Sequence, residues 1–344
     1  MKNPLTTVQN KVEKLVVGGV LRLPNGVKRG LAAMLSPRPS EHLDANIRFL
    51  LAAAEHRPSL AQEDVGKSRK QYNQVINLLD MPHRRLERVR DHQVAVIGGR
   101  ITLREYRPRF TGVLTHAVFF SHGGGFTIGT AAEYDRLCRW LAHRLDCPVF
   151  SLDYRLAPEH KFPTGIEDAL AAWKWLQREA LELGVDPEKI AVMGDSAGAT
   201  ISAVIAQQAK QKPVAQCLIY PTTDQTKVYP SAEKFGEGYG LTKEIMDWFR
   251  NHYLPEGADL TDPRISPLLA QCLTGLPSTV MITATDPLRD EGLAYGLKLE
   301  EAGVPVTYLH YPQLVHGFAS MGGAVPAARR AMEEICAALN PLMK

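Results

Sequence analysis

The segment Gly194-Asp195-Ser196-Ala197-Gly198 sets a serine between two glycines, and its flanks decide what that serine can do. Residues 190–193 are an apolar run that reads as a short buried strand. Residues 199–209 are small and helix-compatible, and read as the helix that follows. G-x-S-x-G between a strand and a helix is the pattern of a nucleophile elbow. So tight a turn forces Ser196 into a strained backbone conformation, and the glycines let neighbouring chain approach without a Cβ in the way. The strain lifts the hydroxyl to the top of the sheet. The helix behind it aims N–H groups and a positive dipole end at any developing anion.

Acyl transfer by such a serine needs a neutral imidazole to take its proton, a carboxylate to orient the imidazole, and donors for the oxyanion. On a strand–elbow–helix scaffold the chain order is Ser, then Asp or Glu, then His. Three histidines follow Ser196. His252 falls in a stretch without clean strands and His310 lies inside a strand. His316 follows the strand 304–311 by a short loop, next to Gly317, and is the expected base. The acid should end the strand 279–285, where Asp286 stands. Asp290 is a close rival, and its competing role is to cap the helix that starts there. Upstream, Ser121-His122-Gly123-Gly124-Gly125-Phe126 ends an apolar strand at 117–120. Its glycines let backbone N–H groups face a ligand. The expected donors are the N–H groups of Gly124, Gly125 and Ala197, with His122 and Gly123 supporting the loop.

These residues need a scaffold that brings strand ends together. After two helical candidates at 41–56 and 61–80, a hairpin is expected at 94–97 and 101–106. Strands at 117–120, 148–152, 190–193, 214–220, 279–285 and 304–311 then alternate with helices at 132–145, 165–182, 199–209, 291–303 and 325–339. This alternation predicts an α/β fold whose mostly parallel sheet is covered by helices on both faces. Residues 222–262 break the pattern. They carry Tyr229, Phe235, Tyr239, Trp248, Phe249 and Tyr253, and read as an insertion after a strand, a usual place for a substrate lid.

The bulk properties exclude other classes. A net charge of +3 over 344 residues is too small to argue for nucleic acid. The excess sits in residues 1–40, with seven Lys/Arg against the single acid Glu13. Residues 1–35 read as a frayed or packing helix rather than a membrane-touching one. The five cysteines, Cys138, Cys147, Cys217, Cys272 and Cys336, include no C-x-x-C pair. They imply neither a disulfide framework nor a thiolate zinc site, and fit a reducing, cytoplasmic compartment. The apolar run 15–20 is short and broken by Gly18-Gly19, unlike a secretory leader, and no stretch approaches a membrane span.

Taken together, His122-Gly-Gly-Gly-Phe126, Asp153-Tyr-Arg-Leu-Ala-Pro-Glu159, Gly194-Asp-Ser-Ala-Gly198, Asp286-Pro-Leu-Arg-Asp-Glu-Gly292 and His316-Gly-Phe318 occur in an order that resembles the hormone-sensitive-lipase-like branch of the α/β-hydrolase esterases. The resemblance covers residues 1–35 poorly. It implies the α/β-hydrolase fold with a helical cap: residues 1–90 as an N-terminal cap segment, 91–221 and 263–344 as the catalytic core, and 222–262 as a second cap segment. It also implies carboxylic esters of short-to-medium acyl chain as substrates, with no cofactor and no metal. Small-molecule esters are the expected partners, without nucleic acid or stable membrane insertion and with a homodimer left open. An amide hydrolase or deacetylase would use the same triad. A non-catalytic receptor, such as the related plant hormone receptors, would lack the base histidine, which is present here.

Overall fold

The apolar runs become the inner strands of one eight-stranded sheet. The computed structural model describes residues 18–36 and 42–344, so the basic stretch 1–17 lies outside the described residues. The strands are β1 (Arg88–Val96), β2 (Gly99–Arg107), β3 (Thr115–Ser121), β4 (Val149–Asp153), β5 (Val185–Asp195), β6 (Ala215–Ile219), β7 (Ser278–Ala284) and β8 (Val306–Tyr311). Their spatial order is β1-β2-β4-β3-β5-β6-β7-β8. β2 pairs antiparallel with β1 and with β4, and all other neighbours are parallel.

Successive side chains of a strand point to opposite faces, and here each face is covered. Val118 and Phe120 of β3 join a core with Leu137 and Leu141 of helix α4 (Asp135–Leu145) and Met332 of α10 (Pro326–Leu339). Ala117 and Phe119 join another with Trp173 of α5 (Thr164–Glu179) and Ile201 of α6 (Ala197–Gln208). Helix α9 (Arg289–Glu301) closes a third core over β6 and β7 through Tyr295 and Leu299. The expected fold class therefore holds, with the inner parallel strands β3 to β7 buried as near-continuous apolar runs and the edge strand β8 largely exposed.

Ahead of the sheet lie α1 (Asn25–Leu35), α2 (Ala45–Ala54) and α3 (Val65–Leu79). The buried Lys28 of α1 donates from Nζ to Asn46 Oδ1 of α2 at 2.5 Å, which fixes these two helices together. Residues 222–262 contain no strand, but they do contain α7 (Pro230–Phe235) and α8 (Lys243–Tyr253). The Thr242 side chain caps α8 by accepting from Ile245 N–H.

The hairpin β1–β2 runs longer than its apolar residues predict, because charges carry its ends. Glu105 is fully buried and accepts from Arg107 Nε at 2.6 Å, Arg88 at 2.7 Å and His92 Nε2 at 3.0 Å. Burial alone would raise its carboxyl. The hydrogen bonds from His92, Arg88 and Arg107 override that and hold it at about 2. A depressed folded-state pKa stabilises above the unfolded value of about 4.3, and that stability is lost as pH falls toward 2. Glu105→Gln is expected to cost ~3–5 kcal/mol, as for a broken buried pair. Denaturant titrations of both proteins at neutral pH and near pH 3 should show the gap narrowing in acid. An equal gap at both pH values would contradict the assignment.

Candidate active site

The elbow is built by close backbone approach. Ser196 has φ 54° and ψ −124°, outside the ordinary regions for a side-chain-bearing residue. Its N–H is held by Ile219 O at 2.9 Å. A Cβ on Gly194 would run into the carbonyl of Gly198, and one on Gly198 would run into the carbonyl of Ser121. These two glycines are therefore what lets α6 start immediately behind the serine and beside β3.

Three side chains from three separate segments meet at this turn. His316 Nε2 lies 2.9 Å from Ser196 Oγ, and His316 Nδ1 lies 3.2 Å from Asp286 Oδ2. With its Nδ1–H donated to the buried carboxylate, the imidazole has Nε2 free to accept the serine proton. The other oxygen of Asp286 accepts Leu288 N–H at 2.9 Å, which fixes the carboxylate's rotation. β7 ends at Ala284, one residue earlier than expected, so Thr285 stands between strand and acid. Thr285 N–H bonds Leu314 O and its hydroxyl bonds Pro312 O, tying the acid's loop to the histidine's. His252 and His310 lie elsewhere: His252 bonds Trp248 O within α8, and His310 meets Thr283 on the sheet.

Asp290 is not in this cluster, and it does not cap its own helix as expected. Its Oδ2 accepts Ser231 N–H, in the first turn of α7, at 2.8 Å, while its own N–H donates to Ser231 Oγ at 3.1 Å. The carboxylate stands at the start of α9 but serves the N-terminus of the neighbouring helix.

Gly124 and Gly125 have φ 110° and 56°, conformations a side chain rarely adopts. A Cβ on Gly125 would collide with the Phe249 ring of α8. Within the described residues, the N–H groups of Gly124, Gly125 and Ala197 donate to no protein group, and all three residues line the cavity that contains Ser196 and His316. His122 Nδ1 lies 2.8 Å from Gly123 O, and burial lowers its pKa, so the ring is neutral and donates there. Tyr154 stacks on that ring at 4.4 Å and donates to His122 O at 3.1 Å. Ala157 N–H binds Phe126 O. The Asp153–Glu159 segment thus backs the glycine loop, a role its sequence did not announce.

The cavity over the site measures about 930 Å³. Its walls include Tyr72, Ile76 and Leu79 of α3 and Met246, Phe249 and Tyr253 of α8. Helix α3 is fixed to the loops beneath it. Arg69 donates to Thr127 O and Ala157 O, each at 2.9 Å, and pairs through both its terminal nitrogens with Glu159. At the far end Leu79 O accepts Gly323 N–H and Ala324 N–H, just beyond the histidine loop. Sequence reasoning missed Arg69. An arginine on a polar helix face gives no sign of its partners, which lie 58 to 90 residues away.

Comparison with known proteins agrees with this geometry. A family model described as the alpha/beta hydrolase fold matches residues 118–320. The carboxylic ester hydrolase LipN of Mycobacterium tuberculosis is 39% identical over 329 residues, 91% of this chain and 87% of that protein. An ethyl acetate hydrolase of Pseudomonas putida is 39% identical over 230 residues, 65% of this chain and 72% of that one. The structure of the ester hydrolase EH1AB1 from the Lake Arreo metagenome, complexed with a bipyridine phosphonate derivative, superposes with a TM-score of 0.83 at 38% identity, covering 88% of this chain and 99% of that one. The chain belongs to the α/β-hydrolase family, in its hormone-sensitive-lipase-like branch of carboxylic ester hydrolases.

Proposed function

We propose that Ser196, His316 and Asp286 carry out the hydrolysis of carboxylic esters that this chain performs. The observation that carries the assignment is the continuous path Ser196 Oγ–His316–Asp286, at 2.9 and 3.2 Å, beside three undonated N–H groups. Ser196 Oγ attacks the ester carbonyl carbon while its proton passes to His316 Nε2. Asp286 stabilises the imidazolium, and the N–H groups of Gly124, Gly125 and Ala197 receive the oxyanion. Collapse of the tetrahedral intermediate breaks the bond to the alcohol oxygen, which leaves with the proton from His316. Water then attacks the acyl-enzyme with His316 as base, releasing the acid and restoring Ser196.

Residues 1–90 and 222–262 act as the cap in this reading, since α3 and α8 supply the cavity walls opposite Ser196. The acyl chains preferred are short to medium. Ile76, Leu79 and Phe249 close on the site within a cavity of small-molecule size. A series of p-nitrophenyl esters should show rates highest for about two to six carbons and falling beyond. Rates still rising at long chains would refute the preference, and an aryl amide cleaved as fast as its ester would move the reading to a deacetylase. Among the described residues no helix is long and apolar enough to cross a membrane. The free thiols of Cys138, Cys147, Cys217 and Cys336, all buried, support a reducing, cytoplasmic setting. The outer edges of β1 and β8 are covered by no described strand, and a homodimer would form by pairing at one of them.

A further inference from the structure

One buried carboxylate at the site takes no part in the proton path. Asp195, adjacent to the nucleophile, turns its side chain away from Ser196 into a polar node. Its Oδ1 accepts Gly123 N–H at 2.9 Å. Its Oδ2 accepts the hydroxyls of Tyr134 at 3.3 Å and Tyr220 at 3.5 Å. Tyr220 in turn accepts Ala319 N–H at 3.2 Å, three residues past His316, and its ring packs on the imidazole at 4.6 Å. Tyr134 meets Tyr72 of α3, hydroxyl to hydroxyl, at 2.8 Å. A Cβ on Gly123 would lie 2.7 Å from Asp195 Oδ2, so the glycine is what lets this carboxylate reach the loop.

Three donors converging on two oxygens suit an ionised acceptor. We propose that Asp195 is a positioning residue for ester hydrolysis: its carboxylate holds the oxyanion loop at Gly123 and, through Tyr220, the histidine loop at Ala319, so that both meet Ser196 in register. The proposal rests on the assignment of Ser196 and His316 given above. Taking the Gly123 N–H also leaves the next two N–H groups of that loop as the ones that face the cavity.

Burial raises the Asp195 carboxyl to about 6, against the opposing pull of Gly123 N–H and of positive charge on His316. The titratable groups facing it are His316 from the loop after β8, Tyr134 from the turn before α4, Tyr220 from the end of β6, Tyr72 from α3, Tyr154 from the end of β4 and Cys138 from α4. Burial pushes the five hydroxyl and thiol groups upward, so they stay neutral. Acid therefore adds a proton to Asp195.

The test compares Asp195→Ala, Asp195→Asn and Tyr220→Phe with the parent and with Ser196→Ala, on p-nitrophenyl butyrate from about pH 4.5 to 8, with melting curves for each. Asp195→Ala should lower kcat by ~10²-fold with KM changed only a few-fold, the signature of a misplaced catalytic group. Asp195→Asn keeps an acceptor for Gly123, so kcat should fall by only ~10-fold, and the acid limb of kcat/KM should lose the proton that Asp195 binds. Tyr220→Phe should lower kcat by ~10-fold with the Asp195 proton retained. Asp195→Ala within about threefold of the parent would overturn the proposal. If Asp195→Ala does not fold, the other two variants decide, and both remaining within about threefold with an unchanged acid limb would overturn it. Activity surviving in Ser196→Ala would instead remove the reading on which the proposal rests.

Discussion

Ser196→Ala is expected to lower ester turnover by ~10⁴–10⁶-fold while leaving the melting curve close to that of the parent. The loss follows from the chemistry: without Oγ no acyl-enzyme forms, and the imidazole has no proton to take from a bound nucleophile. What remains is oxyanion stabilisation and binding, acting on water. Stability is spared because the elbow is held by its backbone. Ser196 N–H binds Ile219 O, and the close approaches at Gly194 and Gly198 do not involve the hydroxyl. Alanine carries the same Cβ through the same positive φ, so the strain is unchanged. Turnover within a few-fold of the parent in a folded variant would place the nucleophile elsewhere.

The two acids of the 286–292 segment should separate cleanly. Asp286→Asn is expected to cost ~10⁴-fold in turnover with little loss of stability. Leu288 N–H will keep the asparagine oxygen, as it now keeps Oδ1, which turns the amide NH₂ toward His316. Nδ1 must then accept, the ring proton moves to Nε2, and Nε2 no longer accepts from Ser196. Asp290→Asn should retain most activity, since the amide oxygen still receives Ser231 N–H. Its stability should fall by ~0.3–1 kcal/mol, because the negative charge at the start of α7 is lost and the contact with Arg289 is weakened. Stopped-time assays and melting curves on the two variants check this, and the reverse pattern would put Asp290 in the triad.

The strand ends were readable from sequence because chemistry and periodicity coincide there. Apolar runs give way there to residue types that carry chemistry: His122-Gly123-Gly124-Gly125, Asp195-Ser196 and Asp286. Contacts made across the fold were not readable. Asp195 occupies a variable position of G-x-S-x-G, and its partners Gly123, Tyr134 and Tyr220 are 72, 61 and 25 residues away. Asp290 in a helix's first turn looks like a cap for its own helix, and only the packing of α7 against α9 shows that it serves another. The hairpin ends were hidden because Arg88, Glu105 and Arg107 read as solvent-facing charges until the sheet buries them together.

The attachments of α3 make the pocket wall and the chemistry one cooperative unit. Arg69 grips the oxyanion loop, Tyr72 reaches the elbow carboxylate through Tyr134, and Leu79 holds the chain just past the histidine. Lifting this helix would release all three loops in a single opening event, so its amides should share the slow exchange of the central strands rather than the fast exchange of a lid. The opposite wall is tied down as well: Tyr253 of α8 stacks on Phe126 at 3.8 Å and its carbonyl accepts Phe162 N–H, so substrate traffic falls to the segment ahead of α8, where Gly238 and Gly240 stand at positive φ.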